Sequence, residues 1–117
     1  MARDAQALAP VIESCAITLK DFKGRRTARL ALATADIGAA VHGAELILVP
    51  APAFAQIDIA TALAPHLTDG QVIFLPPGTF GSYAMTRRIH EEGCRAQFCI
   101  AETGTLPYLA RKHGPAE

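Results

Sequence analysis

Hydrophobic and polar positions change rhythm several times along this chain. Residues 3–12, RDAQALAPVI, carry a weak helical period that Pro10 is expected to end, because its ring removes a helix hydrogen bond and crowds the turn before it. SCAITL and TARLAL then alternate. Cys15, Ile17 and Leu19 share one side of the first run, and Ala28, Leu30 and Leu32 share one side of the second. Between them lies the polar KDFKGRR with Gly24. Two period-two runs around a glycine-containing loop predict an antiparallel hairpin over about residues 14–33, with a somewhat long connection. Arg25 and Arg26 read as solvated loop charges, although arginines at a sheet margin can also meet a phosphate.

From Thr34 the period becomes helical. Thr34 or Asp36 is placed to cap a short helix whose apolar face is Ile37, Ala40 and Val41 and whose end is Gly43. Leu46, Ile47, Leu48 and Val49 follow with no polar face, as in a parallel strand covered on both sides. Pro50 and Pro52 lack the N–H that a ladder needs, so pairing should stop near Val49. A second helical stretch, AFAQIDIATALAPHL, offers Phe54, Ile57, Leu63 and Leu67 to a core, with Pro65 bending or restarting it. QVIFL is another buried strand cut by prolines, Pro76 and Pro77. The helix in GTFGSYAMTRRIHEEG carries Tyr83, Met85 and Ile89 and stops at Gly93, and RAQFCIAET is a third strand.

Strand, helix, strand, helix, strand with short loops predicts right-handed crossovers and a parallel α/β sheet over about residues 44–103. Ligands of such sheets bind beyond the carboxyl ends of the strands. Here those ends read VPAPAF, LPPGTFGS and AETGTLPY, rich in Gly, Pro, Thr and Ser, whereas HGAE, LTDG and EEGC at the other margin are ordinary polar turns. The prolines therefore read as stiffening a rim that lines a site. Pro77 and Gly78 suit the centre of a type II turn, after which Thr79 or Ser82 would cap the next helix and leave N–H groups near a bound anion. A cap with no ligand is the commoner meaning of one such turn; three in a row point to a site. Glu102 would accept a hydrogen bond from a ribose or an amide, or be a plain surface acid, the reading that spacing alone favours.

Composition narrows the partners. At 117 residues, 50% hydrophobic and 19% charged, the chain is expected to pack as one domain. Lys plus Arg and Asp plus Glu balance at 11 each, so no net field draws nucleic acid or an anionic membrane, and small molecules or proteins become the default partners. Cys15, Cys94 and Cys99 have no metal or redox spacing and fit reduced, buried thiols. The first 15 residues lack an apolar signal core, and no apolar run approaches the roughly 18 residues of a membrane span, so a cytoplasmic protein is expected. His42, His66, His90 and His113 are scattered without metal-ligand spacing, and no Ser-His-Asp set, P-loop or zinc pattern is visible.

TADIGAAVHGAELILVPAPAFA, LPPGTFGS and GCRAQFCIAETGTLPY together resemble the later half of the nucleotide-binding domain of the opine (octopine/nopaline) dehydrogenase family, relatives of glycerol-3-phosphate dehydrogenase. The likeness spans about residues 27–110, and AETGTLPY is its narrowest marker. It implies a partial Rossmann-like, three-layer α/β/α domain with an N-terminal hairpin and without the first βαβ unit. It also implies NAD or NADP as cofactor and oxidoreduction of a carbon–nitrogen bond, the reductive joining of an amino acid to a 2-oxo acid. By position, Ala51, Pro52 and Phe54 would border the pyrophosphate and nicotinamide side of the dinucleotide, and Glu102 and Thr103 would lie near the nicotinamide. Pro77 and Gly78 match the family's Asn-Pro-Gly turn, with Pro76 in place of the asparagine.

Two family features have no match here: the G-x-G-x-x-G turn, and the helical domain with the substrate pocket and catalytic histidine, for which His113 stands in the wrong context. The resemblance thus implies a fragment of an NAD(P)-dependent opine dehydrogenase-like oxidoreductase that does not catalyse alone, completed by another polypeptide or paired as a homodimer. The alternative is a non-catalytic nucleotide-binding or protein-interaction module that dimerises through an exposed sheet edge.

Overall fold

The computed structural model describes residues 5–107, 110 and 114. The chain divides into two compact units, Met1–Ala40 with Ala110–Glu117, and Val41–Leu109. In the first, α1 (Ala5–Ser14) leads into β1 (Ala16–Asp21) and β2 (Gly24–Arg29). Contrary to expectation, α1 runs through Pro10. The proline lacks one N–H, but Val11 beyond it is buried, and the Ser14 hydroxyl and Cys15 N–H bond back to the Pro10 and Val11 carbonyls at 2.7 and 2.9 Å.

The hairpin is tighter than its sequence suggests. Asp21 pairs with Gly24, so Phe22 and Lys23 make the turn, and Lys20, Arg25 and Arg26 of the expected loop belong to the ladder. An Asp21 carboxylate oxygen accepts the Lys23 N–H at 2.8 Å, its other oxygen pairs with Arg26, and Gly24 takes φ +107, which favours glycine. Leu32 lies past the end of β2. Ile17 and Leu19 keep 43% and 51% of their surface, and every residue of β2 is exposed. A two-stranded ribbon with no buried face does not require apolar alternation, so charged residues enter its strands.

Short helix α2 (Ile37–Val41) uses both expected capping residues. Asp36 Oδ1 accepts the Gly38 and Ala39 N–H groups at 2.8 and 3.3 Å, while Thr34 Oγ1 accepts that of Asp36 at 3.0 Å.

The second unit holds β3 (Leu46–Leu48), α3 (Ala53–Leu63), a 3₁₀ turn (Ala64–His66) imposed at Pro65, β4 (Val72–Leu75), α4 (Gly81–Glu91) and β5 (Cys99–Glu102). The strands are parallel in the order β3-β4-β5, with Ile47 beside Ile73 and Ile73 beside Ile100. Helices α3 and α4 touch, so both crossovers lie on one face of the sheet. The core is there: Ile47, Val49, Ile73 and Leu75 from the strands, Ile59 and Leu63 from α3, and Met85 and Ile89 from α4 are all buried. Leu46 and Leu48 point to the other face and remain 55% exposed, so the apolar run of β3 is buried at alternate positions.

At the margin before β4, buried Gln71 acts as a clasp. Its amide donates to the Val41 and Ala44 carbonyls at 3.1 and 2.8 Å and accepts the Thr68 N–H at 2.9 Å. Residues 94–98 precede β5 as irregular chain, tied to the 69–70 turn by Gly70 N–H to the Gln97 carbonyl and Gln97 N–H to Asp69, at 2.7 and 2.8 Å.

Candidate functional site at the strand tips

Parallel pairing brings the carboxyl ends of β3, β4 and β5 to one margin, as the crossover pattern predicts. At the β3 tip, Val49 N–H still bonds to the Phe74 carbonyl at 2.9 Å, and Ala51 N–H turns back to the Val49 carbonyl at the same distance. The prolines end pairing there. Pro52 takes the N-cap position of α3 in extended conformation, no side chain among the described residues caps the helix, and Phe54 projects with 84% of its surface exposed.

The β4 tip is built differently. Pro76 and Gly78 are buried and Pro77 half-buried, the Pro76–Pro77 peptide is cis, and Thr79 and Phe80 both take the left-handed conformation, at φ +53 and +61. The expected type II turn is absent, because Gly78 does not hold the positive φ. Its need for glycine is space: a Cβ there would overlap the Glu102 Cβ and carboxylate. Gly81 answers the same demand, since its Cβ would run into the Gln56 side-chain oxygen. Gln56, buried on α3, donates to the Gly78 carbonyl at 3.2 Å. The sequence reading misses this residue; two glycines three apart at a helix start are the signal that something packs against both.

Neither Thr79 nor Ser82 caps α4. Phe80 occupies the N-cap without a side-chain bond, and the cap comes from the next strand. Glu102 Oε1 accepts the Phe80 N–H at 3.0 Å and Oε2 accepts the Ser82 N–H at 2.8 Å. Thus the α4 end is filled, not left free for an anion. The Ser82 N–H lowers the Glu102 pKa most; burial opposes it, and the Ser82 hydroxyl and Phe80 N–H reinforce it, leaving the carboxyl below its ordinary range. Thr103 continues the ladder, its N–H on the Leu75 carbonyl at 3.1 Å and its carbonyl accepting the Gly78 N–H at 3.0 Å. Among the described residues its hydroxyl is buried without a hydrogen-bond partner.

Of the residues singled out from sequence, Gly78, Glu102 and Thr103 are brought together directly, with Pro77 in the same loop, while Ala51, Pro52 and Phe54 form the neighbouring β3 tip. His42, His66 and His90 are exposed, with His90 tilted against Phe98 at 5.7 Å; His113 and Tyr108 lie outside the described residues. A shallow hollow along α4, lined by Tyr83, Thr86, Arg87, His90 and Glu91, draws its whole lining from one helix. Among the described residues, no group of three or more His, Cys, Asp or Glu could hold a metal, and no helix is long and apolar enough to cross a membrane.

No family model matches the chain. Over 114 residues, 97% of its length, it is 32% identical to the opine dehydrogenase of Arthrobacter sp. (strain 1C). Over that span the similarity is to part of an opine dehydrogenase. The likeness covers 32% of the Arthrobacter protein, so the chain spans about a third of that protein's length. Two octopine dehydrogenase structures have the same fold. One, in complex with NADH and agmatine, matches with a TM-score of 0.74 at 19% identity over 94% of this chain and 29% of its own. The other, with NADH and L-arginine, gives 0.74 at 21% over 93% and 28%. The partial Rossmann-like α/β architecture is thus shared with the octopine dehydrogenases.

Proposed function

We propose that this chain provides the strand-tip part of an opine dehydrogenase-like NAD(P)-binding domain and meets the dinucleotide along Ala51, Pro52, Phe54, Pro77, Gly78, Glu102 and Thr103. The observation that carries the reading is the Thr103 hydroxyl, buried and, among the described residues, unpartnered at the margin where parallel α/β sheets take their ligands. It suits an amide or ribose hydroxyl of a bound nucleotide. Pro52 and the Phe54 ring, both exposed, suit its flat apolar parts. The diphosphate fits less well. None of the seven residues is cationic, and the chain lacks the glycine-rich turn that anchors pyrophosphate in Rossmann domains. A cofactor held here needs a further phosphate anchor from a longer chain or a complementing one. With it, the activity would be the family's NAD(P)-dependent reductive joining of an amino acid to a 2-oxo acid.

A nuclear magnetic resonance titration of the chain with NADH tests this. Saturable shifts at residues 49–54, Gly78 and Thr103 are expected, and their absence at millimolar cofactor would refute it.

A second reading, an interaction module completed by a partner, is favoured by one observation. Among the described residues β3 pairs on one side only, and its Leu46 and Leu48 are half exposed. The mass in solution tests it: a second copy over this strand gives a concentration-dependent dimer, and a monomer that also shows no response to NADH removes both readings.

A further inference from the structure

We propose that Glu102 is the resident anion of the α4 end: it closes that helix terminus to phosphate and so denies one of the two helix starts on this margin to a ligand's negative groups. This inference does not rest on the dinucleotide reading, because it concerns inorganic phosphate as much as any nucleotide.

A helix end attracts anions because its first N–H groups point outward with no partner inside the helix. Here two N–H groups near the start of α4, of Phe80 and Ser82, are already bound, each by a different oxygen of one carboxylate. The carboxylate arrives from another strand, some twenty residues later in the chain, and its position is fixed by its surroundings. Its backbone is held by the β4–β5 ladder, where Leu75 pairs with Glu102 and the following residue bonds to Leu75. Its side chain lies where any Cβ on residue 78 would have to go. Gly78 is in turn held by the Thr103 carbonyl and by Gln56. Glycine at 78 thus keeps open the space that the carboxylate fills.

Left-handed Thr79 and Phe80 belong to the same arrangement. Two adjacent residues with side chains in this region are rare. Their conformation turns the Phe80 N–H toward the β5 tip, where Glu102 accepts it. A phosphate competing for the same N–H groups must expel a covalently tethered anion whose proton affinity these bonds already lower. Among the described residues, the α3 end on the same margin has no side-chain cap and no such tenant. Negative groups of a ligand are therefore turned away from the β4–α4 junction.

Inorganic phosphate, titrated at constant ionic strength against the full chain, tests the proposal through the Phe80 and Ser82 amide resonances. In the unmodified chain these signals should stay still. In Glu102→Gln, which keeps the size of the side chain but loses the charge and one acceptor, they should move saturably, with phosphate bound at least about fivefold more tightly than by the unmodified chain. Glu102→Ala should behave alike, and whichever variant keeps the folded spectrum serves. Saturable movement of the two amides in the unmodified chain would overturn the proposal. So would their indifference to phosphate in a folded variant, because the carboxylate would then be excluding nothing.

Discussion

Two helices begin on the same margin of one sheet, each directly after a parallel strand, yet their first turns are opposites. At α3 the chain offers Pro52, which brings no donor and no side-chain acceptor, and an exposed phenylalanine. At α4 it offers two left-handed residues, two close-packed glycines and a carboxylate delivered from the neighbouring strand. The fold alone makes both ends attractive to anions. What separates them is one side chain at the β5 tip. Equivalent places in a repeated topology are therefore not equivalent sites, and a rim drawn from topology alone would assign both ends the same ligand.

Gly78→Ala should break the contrast most severely. The added methyl overlaps both the stem and the head of Glu102, whose backbone the β4–β5 ladder holds in place. A loss of about 2–3 kcal/mol in urea unfolding is expected, with Phe80 and Ser82 amides exchanging faster. A loss below that of an ordinary surface change would mean that the β5 tip yields easily. Glu102→Ala comes next, at about 1–3 kcal/mol, since two N–H groups lose a charged acceptor.

Glu102→Gln should weaken the chain by about 1 kcal/mol and flatten its acid response. The folded carboxyl titrates below its unfolded value, so its contribution is full above the unfolded pKa and is lost as pH falls through the folded one. Stability against pH, measured for both chains, should therefore converge in acid; parallel curves would show that Glu102 does not carry this dependence. Smallest is Pro52→Ser, which gives α3 a side-chain cap of its own. The cap gain and the loss of proline's stiffness nearly cancel, so the change in unfolding free energy should lie within about 0.5 kcal/mol. New protection of the first α3 amides is the sign that the two ends have been made more alike.

Local signals carry much of this fold. Asp36 and Gly43 bound α2 because a cap and a stop act within a few residues, Pro65 turns the end of α3 into a 3₁₀ turn, and the proline pairs set where β3 and β4 cease. The hairpin turn reads too loosely in the sequence because charged Lys20, Arg25 and Arg26 look like loop when no core demands alternation.

The closure of the α4 end stays hidden for a different reason. It joins Gly78, Phe80 and Ser82 to Glu102 across some twenty positions, and nothing in the period of either segment records which residue of β5 will sit beside Leu75. Glu102 stands out as a carboxylate at a strand end, but spacing alone favours a surface acid, and Gln56 reads as one more polar position on α3. Both belong to the strand tips only because the sheet register and the α3 crossover carry them there.

The two helices of the second unit stand on the same side of the sheet because each crossover advances one strand in the same direction with the same hand. Extending the sheet past β5 in that manner would add more helices to the side that is already roofed. Leu46 and Leu48, which face the opposite side, would gain no cover from such an extension.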